Sequence, residues 1–282
     1  MLSIQSICVC GAGTMGAGIA QLAAQSGFHT ILYDVNKAAL AKAAEAILNG
    51  FQLLADKNRI TAAEKDNAAS RLRYTTDTND CIADLFIEAI VENIAVKAGL
   101  FNQLNEVNHS EVIFATNTSS LSVSAIAKTV INPQRVAGMH FFNPAPVMKL
   151  VEVVKGEQTS DATLQIVTEL VTQMGKTPVL CKDAPGFIVN HVARPYYLEA
   201  LRLLESGIAI ETIDTLMEAA GFKMGPFKLM DLIGNDVNYA VSNSIYEAMH
   251  RPERLKPSPI QKEKLANGEL GKKTGKGYYK YE

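Results

Sequence analysis

Short apolar runs rich in β-branched residues alternate, over the first two thirds of the chain, with longer stretches of helical period. The runs fall near Ile4 to Cys10, His29 to Asp34, Arg73 to Thr75, Leu85 to Ala89, Val112 to Thr116, Val136 to His140, Lys149 to Val154 and Pro178 to Cys181. Runs this short, bounded by turn residues, read as buried strands. Between them Met15 to Gln25, Lys37 to Ala55, Lys97 to Val107 and Asp161 to Met174 read as helices. This alternation builds a mostly parallel sheet with crossover helices on its faces, a doubly wound α/β layout. After Asp183-Ala184-Pro185-Gly186 the pattern becomes helical throughout, over Phe187 to Glu205, Glu211 to Ala219 and Asp236 to Met249. The expected organisation is an α/β domain in residues 1–184 followed by an all-helical C-terminal domain in residues 185–282. The Gly/Lys-rich tail Gly271 to Gly277 lacks P-loop spacing and reads as a turn.

Composition narrows the class of partner. The chain has 282 residues, 48% of them hydrophobic and 20% charged, with a formal charge of -2. That is ordinary for a globular protein and supplies no basic patch for a nucleic acid. No run approaches the roughly 18 apolar residues of a membrane span. Met1-Leu2-Ser3-Ile4 enters the first strand with no basic leader, so a cytoplasmic location is expected. The four cysteines, Cys8, Cys10, Cys81 and Cys181, form no CxxC pair and no metal-ligand spacing. They read as reduced, buried thiols, with Cys8 and Cys10 on one strand face, and no metal is expected.

Gly11-Ala12-Gly13-Thr14-Met15-Gly16 matches GxGxxG, weak evidence alone but strengthened by its setting. It follows a strand, opens a helix, and precedes a second strand that ends at Asp34, all within about 30 residues. This is a Rossmann-type dinucleotide fingerprint. Gly11 permits the turn, Gly13 admits the pyrophosphate and Gly16 allows close helix packing, while the helix N-terminus offers N–H groups to the phosphates. Asp34 is placed to accept hydrogen bonds from the adenosine ribose and repels a 2′-phosphate. Val35-Asn36-Lys37 brings no arginine to clamp such a phosphate, so NAD is favoured over NADP. FAD shares the fingerprint, but the further contacts a flavin needs are not found.

Oxidising a secondary alcohol sends a hydride to the nicotinamide and a proton to a base, a role that suits histidine. Of the five histidines, His29 lies in a strand, His109 near a helix end, and His191 and His250 on helices. His140 ends a strand of the nucleotide domain, where ligands of open α/β sheets bind. If the chain doubles back about Pro146, Glu152 falls opposite His140, close enough to orient the imidazole. Ser119, in Asn117-Thr118-Ser119-Ser120, follows another strand and could bond the substrate oxygen, although an N-cap is the equal alternative. Asn190, one helical turn after Gly186, could close the site from the second domain or be a helix surface residue.

The segment from Met139-His140-Phe141-Phe142-Asn143-Pro144-Ala145-Pro146 through Val147-Met148-Lys149-Leu150-Val151-Glu152-Val153 closely resembles the L-3-hydroxyacyl-CoA dehydrogenases, in particular the free-standing 3-hydroxybutyryl-CoA dehydrogenases. The resemblance extends over Glu92-Asn93, Pro185-Gly186-Phe187-Ile188-Val189-Asn190, Met224-Gly225-Pro226-Phe227 and Gly271-Lys272-Lys273-Thr274-Gly275, and so covers essentially the whole chain in order. It implies NAD-linked, reversible oxidation of a (3S)-3-hydroxyacyl-CoA, of short chain, to the 3-oxoacyl-CoA, a step of fatty acid β-oxidation chemistry. It also implies a homodimer formed through the helical domain. On this resemblance His140 is the general base and Glu152 orients it, Ser119 touches substrate and nicotinamide, and Asn190 contacts substrate. Glu92, Lys97, Asn143 and Lys273 then contact the cofactor, which would bring the tail back toward the nicotinamide. Lys57 aligns with a lysine that meets coenzyme A, whereas Gly50 and Leu53 stand where other members carry polar residues. A solvated cation near a helix C-terminus is the alternative for Lys57.

Two other classes compete. Ser119, His140 and Glu152 have the residue types of a hydrolase triad, but no GxSxG elbow holds the serine and a dinucleotide fingerprint has no purpose there. A non-catalytic NAD-binding sensor or structural protein of dehydrogenase ancestry predicts loss of His140 or Glu152, and both are present.

Overall fold

The structure is a computed structural model that describes residues 4–282, so Met1-Leu2-Ser3, part of the stretch in which the sequence shows no basic leader, lies outside the described residues. The chain forms two compact units, Met1–Asp183 and Ala184–Glu282. In the first, the eight apolar runs become β1 Ser6–Cys10, β2 His29–Tyr33, β3 Leu72–Thr75, β4 Leu85–Glu88, β5 Ile113–Thr116, β6 Val136–Phe141, β7 Leu150–Lys155 and β8 Thr177–Lys182. They lie in one sheet in the order β3-β2-β1-β4-β5-β6-β7-β8, parallel except for the antiparallel β6 and β7 pair. The order reverses between β1 and β4, the crevice where doubly wound sheets take ligands.

Helices α1 Thr14–Gln25, α2 Lys37–Asp56, α3 Ala62–Ser70, α4 Ile94–Val107, α5 Val123–Ala127 and α6 Asp161–Gln173 complete this unit. One core joins Ile7, Val9, Leu32 and Ile87 of the strands to Ile19 and Ala23 of α1, Ile47 and Phe51 of α2, and Val167 and Leu170 of α6. The sequence pattern does not announce α3, whose one buried residue is Ala68; its start is fixed by a capping box between Thr61 and Glu64. Helix α4 begins earlier than expected because the Asn93 side chain accepts from Val96 N–H. Cys8 and Cys10 share a face as expected, with Sγ atoms 4.0 Å apart, and burial holds the Cys8 thiol well above its ordinary pKa. Cys181 departs from the expectation of burial: it is half-buried on β8.

The second unit is helical: α7 Val189–Glu205, α8 Ile210–Ala219, α9 Pro226–Ile233, α10 Asn235–Ala248 and α11 Pro259–Ala266. Its core includes Leu198, Leu201, Ile213, Phe227 and Met230. Helices α9 and α11 are additions to the expected set, each opened by a proline at its first turn. His250 follows α10 with φ near +62°, so it sits in a turn and not on a helix as expected. The tail is more than a turn. Asp231, 1% exposed, accepts Tyr278 N–H, Tyr279 N–H and Tyr281 O–H, each at 2.9 Å. Asp214, equally buried, accepts Phe227 N–H, Lys228 N–H and Tyr279 O–H. These two carboxylates clasp the tail to α8 and α9. No helix among the described residues is long and apolar enough to cross a membrane.

Candidate active site

The glycine loop joins β1 to α1 at the carboxyl rim of the sheet. A Cβ at Gly16 would stand 1.7 Å from the Gly11 carbonyl oxygen, so glycine alone permits this packing of helix on loop. Gly13 caps α1 without a side-chain hydrogen bond, and no acid lies in the first turn. A Cβ built on Gly13 would meet nothing within 4 Å. The loop therefore leaves room over its N–H groups for a pyrophosphate, and the dipole of α1 favours one. Asp34, just past β2, accepts Ala12 N–H at 2.7 Å and Asn36 N–H at 2.8 Å. The residue expected to read the ribose thus also braces the glycine loop, and its oxygens keep lone pairs for hydroxyl donors.

Three strands along the sheet from β1, the antiparallel register of β6 and β7 sets His140 opposite Glu152. Their side chains meet, Nδ1 to Oε2, at 2.7 Å, with Glu152 0% and His140 6% exposed. All five histidines are described, and His140 alone among them is buried. A buried carboxylate accepts, so Nδ1 donates and Nε2 carries the lone pair of the neutral ring. The turn between β6 and β7 includes the cis Asn143–Pro144 bond and is held by Lys176, whose Nζ donates to the carbonyls of Pro146 and Met148 at 3.1 and 2.8 Å. Burial pulls the Lys176 ammonium below its ordinary pKa. The same turn approaches α1: a Cβ at Gly18 would lie 3.2 Å from Pro146 Cδ. The hairpin that presents His140 therefore rests on the helix that opens the glycine loop.

The loop carrying Ser119 is organised by a chain of charges. Lys97, 1% exposed, places Nζ 2.5 Å from Glu88 and 3.0 Å from Glu92. Glu88 also accepts Thr116 O–H and Ile90 N–H, each at 2.7 Å, and burial still pushes its carboxyl above the ordinary range. Glu92 accepts Thr118 O–H at 2.8 Å and Ser119 N–H at 3.2 Å. The N-cap of α5 is Ser122, not Ser119. Asn117 Oδ1 accepts Phe141 N–H at 2.9 Å, which ties this loop to the end of β6. Glu88, Asn117 and Lys176 were not singled out from sequence. A buried charge or amide in a strand-end tetrapeptide looks there like any polar residue, and only the Glu88 position, closing an otherwise apolar run, could have signalled it.

Of the remaining expected residues, Asn143 is exposed in the β6–β7 turn and Lys57 is exposed at the C-cap of α2. Asn190 lies in the first turn of α7, where its carbonyl accepts Arg194 Nε–H at 3.2 Å. Lys273 bonds both oxygens of Asp236 at 2.6 Å, within the helical unit.

This site carries an open anion cradle at a helix N-terminus, a carboxylate past the end of β2 and a buried His–Glu pair along one sheet rim. Comparison with known proteins places the chain in a family. Residues 6–184 match the NAD binding domain of 3-hydroxyacyl-CoA dehydrogenase, and residues 186–281 match its C-terminal domain. The 3-hydroxyadipyl-CoA dehydrogenase of Escherichia coli is 48% identical over 99% of this chain, which spans 59% of that protein's length. A probable 3-hydroxybutyryl-CoA dehydrogenase of Deinococcus radiodurans is 41% identical, with 97% of this chain and 99% of the relative covered. The crystal structure of a (S)-3-hydroxybutyryl-CoA dehydrogenase from Ralstonia eutropha superposes with a TM-score of 0.94 at 38% identity, covering 99% of this chain and all of that one. The chain carries an NAD-binding domain and belongs to the 3-hydroxyacyl-CoA dehydrogenase family.

Proposed function

We propose that this protein catalyses the reversible oxidation of a (3S)-3-hydroxyacyl-CoA to the 3-oxoacyl-CoA, with NAD as oxidant and His140 as the acid/base. The observation that carries the reading is the 2.7 Å contact of His140 with the buried Glu152 at the rim that also holds the glycine loop. Bound NAD supplies the hydride acceptor. His140 takes the hydroxyl proton on Nε2, since Nδ1 is committed to Glu152. The imidazolium so formed is stabilised by the Glu152 carboxylate, which is buried away from bulk solvent. Ser119 bonds the substrate oxygen and borders the nicotinamide, with Asn190 as a second contact to substrate.

Gly11, Ala12, Gly13, Thr14, Met15, Gly16 and Asp34 hold the dinucleotide, with Glu92, Asn143 and Lys273 as further contacts. Lys97 is sealed between two carboxylates, so its share in cofactor binding is to fix Glu92. Lys57 meets the phosphates of coenzyme A. A homodimer through the helical unit and a cytoplasmic location belong to the same reading, and gel filtration tests the first. A non-catalytic NAD sensor gives no use to a buried His–Glu pair. The three relatives, one named for the hydroxyadipyl and two for the hydroxybutyryl thioester, differ at the far end of the acyl chain, and both ends fit a 3-hydroxyacyl substrate.

Purified protein is expected to reduce NAD with 3-hydroxybutyryl-CoA, followed as rising nicotinamide absorbance. Absence of turnover with every 3-hydroxyacyl-CoA and either nicotinamide cofactor would overturn the proposal.

A further inference from the structure

Glu88 ends β4 at the crevice where the strand order reverses, level with Cys10 of β1 on one side and Thr116 of β5 on the other. The segment that follows it borders the glycine loop: a Cβ at Gly11 would lie 2.6 Å from the Ala89 carbonyl oxygen and 3.1 Å from Ile90 Cγ2. Every hydrogen bond to the Glu88 carboxyl comes from a donor, Lys97 Nζ and Ile90 N–H on Oε1 and Thr116 O–H on Oε2. Such a set holds the group as an anion at neutral pH. Lys97 bridges it to Glu92, whose side chain is 41% exposed and accepts from Thr118 and Ser119. Among the described residues no second cation pairs with either carboxylate.

Two anions thus share one cation, and the cluster carries a net negative charge that begins under the strand ends and surfaces at Glu92. The positive end of the α4 dipole, worth about half a charge, offsets part of it. Fixing Glu92 needs only a neutral pair, so the second buried carboxylate is a desolvation cost with no use in holding the loop. Its field, however, reaches the crevice through a medium that screens less than water. Asp34 stands past β2, on the far side of β1 from β4. A dinucleotide laid across such a switch point with its adenosine at Asp34 brings its nicotinamide half to the β4 side, beside this cluster. The oxidised and reduced cofactors share their riboses and pyrophosphate and differ by one positive charge, which lies on the nicotinamide ring.

We infer that the Glu88–Lys97–Glu92 cluster discriminates between the two forms of the cofactor by charge, strengthening the hold on oxidised NAD and weakening it once the ring is reduced. The inference rests on the proposed NAD site and on Ser119 as the border of the nicotinamide. Glu88 touches no ligand: it is a positioning residue that acts through Lys97 and through its fixed charge. Glu152 is a further anion of the rim, and it is a constant background when members of the cluster are changed.

The test measures the Kd of reduced NAD by its own fluorescence and that of oxidised NAD by competition, on the unaltered protein and on Glu88→Gln and Glu92→Gln. Each substitution removes one negative charge and keeps an amide oxygen as acceptor for Thr116 or Thr118. The ratio of the oxidised to the reduced Kd is expected to rise about threefold to thirtyfold in each variant, the scale of one unit charge acting on another across roughly 10 Å of protein. A purely structural role would weaken both forms alike, because they share most of their contacts, and leave the ratio where it was. An unchanged or lower ratio in either folded variant therefore overturns the inference while leaving the NAD site standing. Failure of the unaltered protein to bind either form takes down both. Glu92 is largely exposed, so its variant decides the sign even if Glu88→Gln fails to fold.

Discussion

At the carboxyl rim of the sheet, Lys97 lies between Glu88 and Glu92, and Glu152 faces His140; in the helical unit Asp214, Asp231 and Arg194 are each buried with neutral groups as partners. The two regions solve the same problem, a charge removed from water, by different means. Opposed pairs offset each other's charge and hold each other in place, so a side chain or a loop can be fixed at the rim. Convergent N–H and O–H donors satisfy a lone carboxylate without a cation, and the chain that supplies them becomes ordered in return. The first arrangement suits chemistry and the second suits folding, with Arg194 the exception, since it has donors to give and few acceptors to receive them.

The largest expected effect is on the rate. His140→Gln should keep NAD affinity, measured by fluorescence titration, and lose about a hundredfold to ten-thousandfold in kcat; unchanged turnover would remove the pair from the chemistry. Lys97→Met leaves Glu88 buried without its cation and should cost about 3–5 kcal/mol in urea unfolding. The double change Lys97→Met with Glu88→Gln should recover much of that loss, as only an opposed pair would. Asp231→Asn withdraws an acceptor from the tail and should cost about 2–3 kcal/mol, read as earlier protease cleavage after residue 266 with the sheet unit intact.

Alkali separates the regions more gently. Burial first, and nearby carboxylates second, raise Tyr278, Tyr279 and Tyr281 above the ordinary phenol range, and burial also raises Tyr196, to about 12, and Tyr197. In the sheet unit only Tyr33 and Tyr74 are raised. A phenol whose folded pKa lies above its unfolded value near 10 contributes stability that is intact below that value and lost as pH climbs through the folded one. The helical unit should therefore loosen first above about pH 10, seen as tyrosinate absorbance rising together with loss of helical circular dichroism. Simultaneous loss of both units would erase the distinction. The smallest effect is expected where charge is exposed: Arg251→Ala, which breaks the surface pair with Glu247, should leave the melting temperature unchanged within error.

The inner strands were legible because each is a short apolar run in a sheet covered on both sides, and the His140–Glu152 register followed from the spacing about Pro146 once an antiparallel return was assumed. Helix α3 was not, because a helix that buries only Ala68 has no stripe to read, although Thr61 and Glu64 carried its start signal. Helices α9 and α11 were overlooked for their length, despite Pro226 after Gly225 and Pro259 after Ser258. The site was legible where a residue type is rare and its position topological, as with His140. It was not legible for Glu88 and Lys176, nor was the burial of Lys97, which the resemblance named as a cofactor contact, or of Arg194. On a helix or at a strand edge a charge looks solvated, and its burial depends on which neighbour packs over it.

Asp34 shows what such coupling means for redesign. Because its carboxylate receives Ala12 N–H, a neutral substitution aimed at admitting a phosphorylated cofactor would remove a strut of the glycine loop along with the repulsion. On the proposed NAD site, cofactor preference and loop rigidity are one trait, and an altered preference would have to be engineered with a replacement acceptor for that amide.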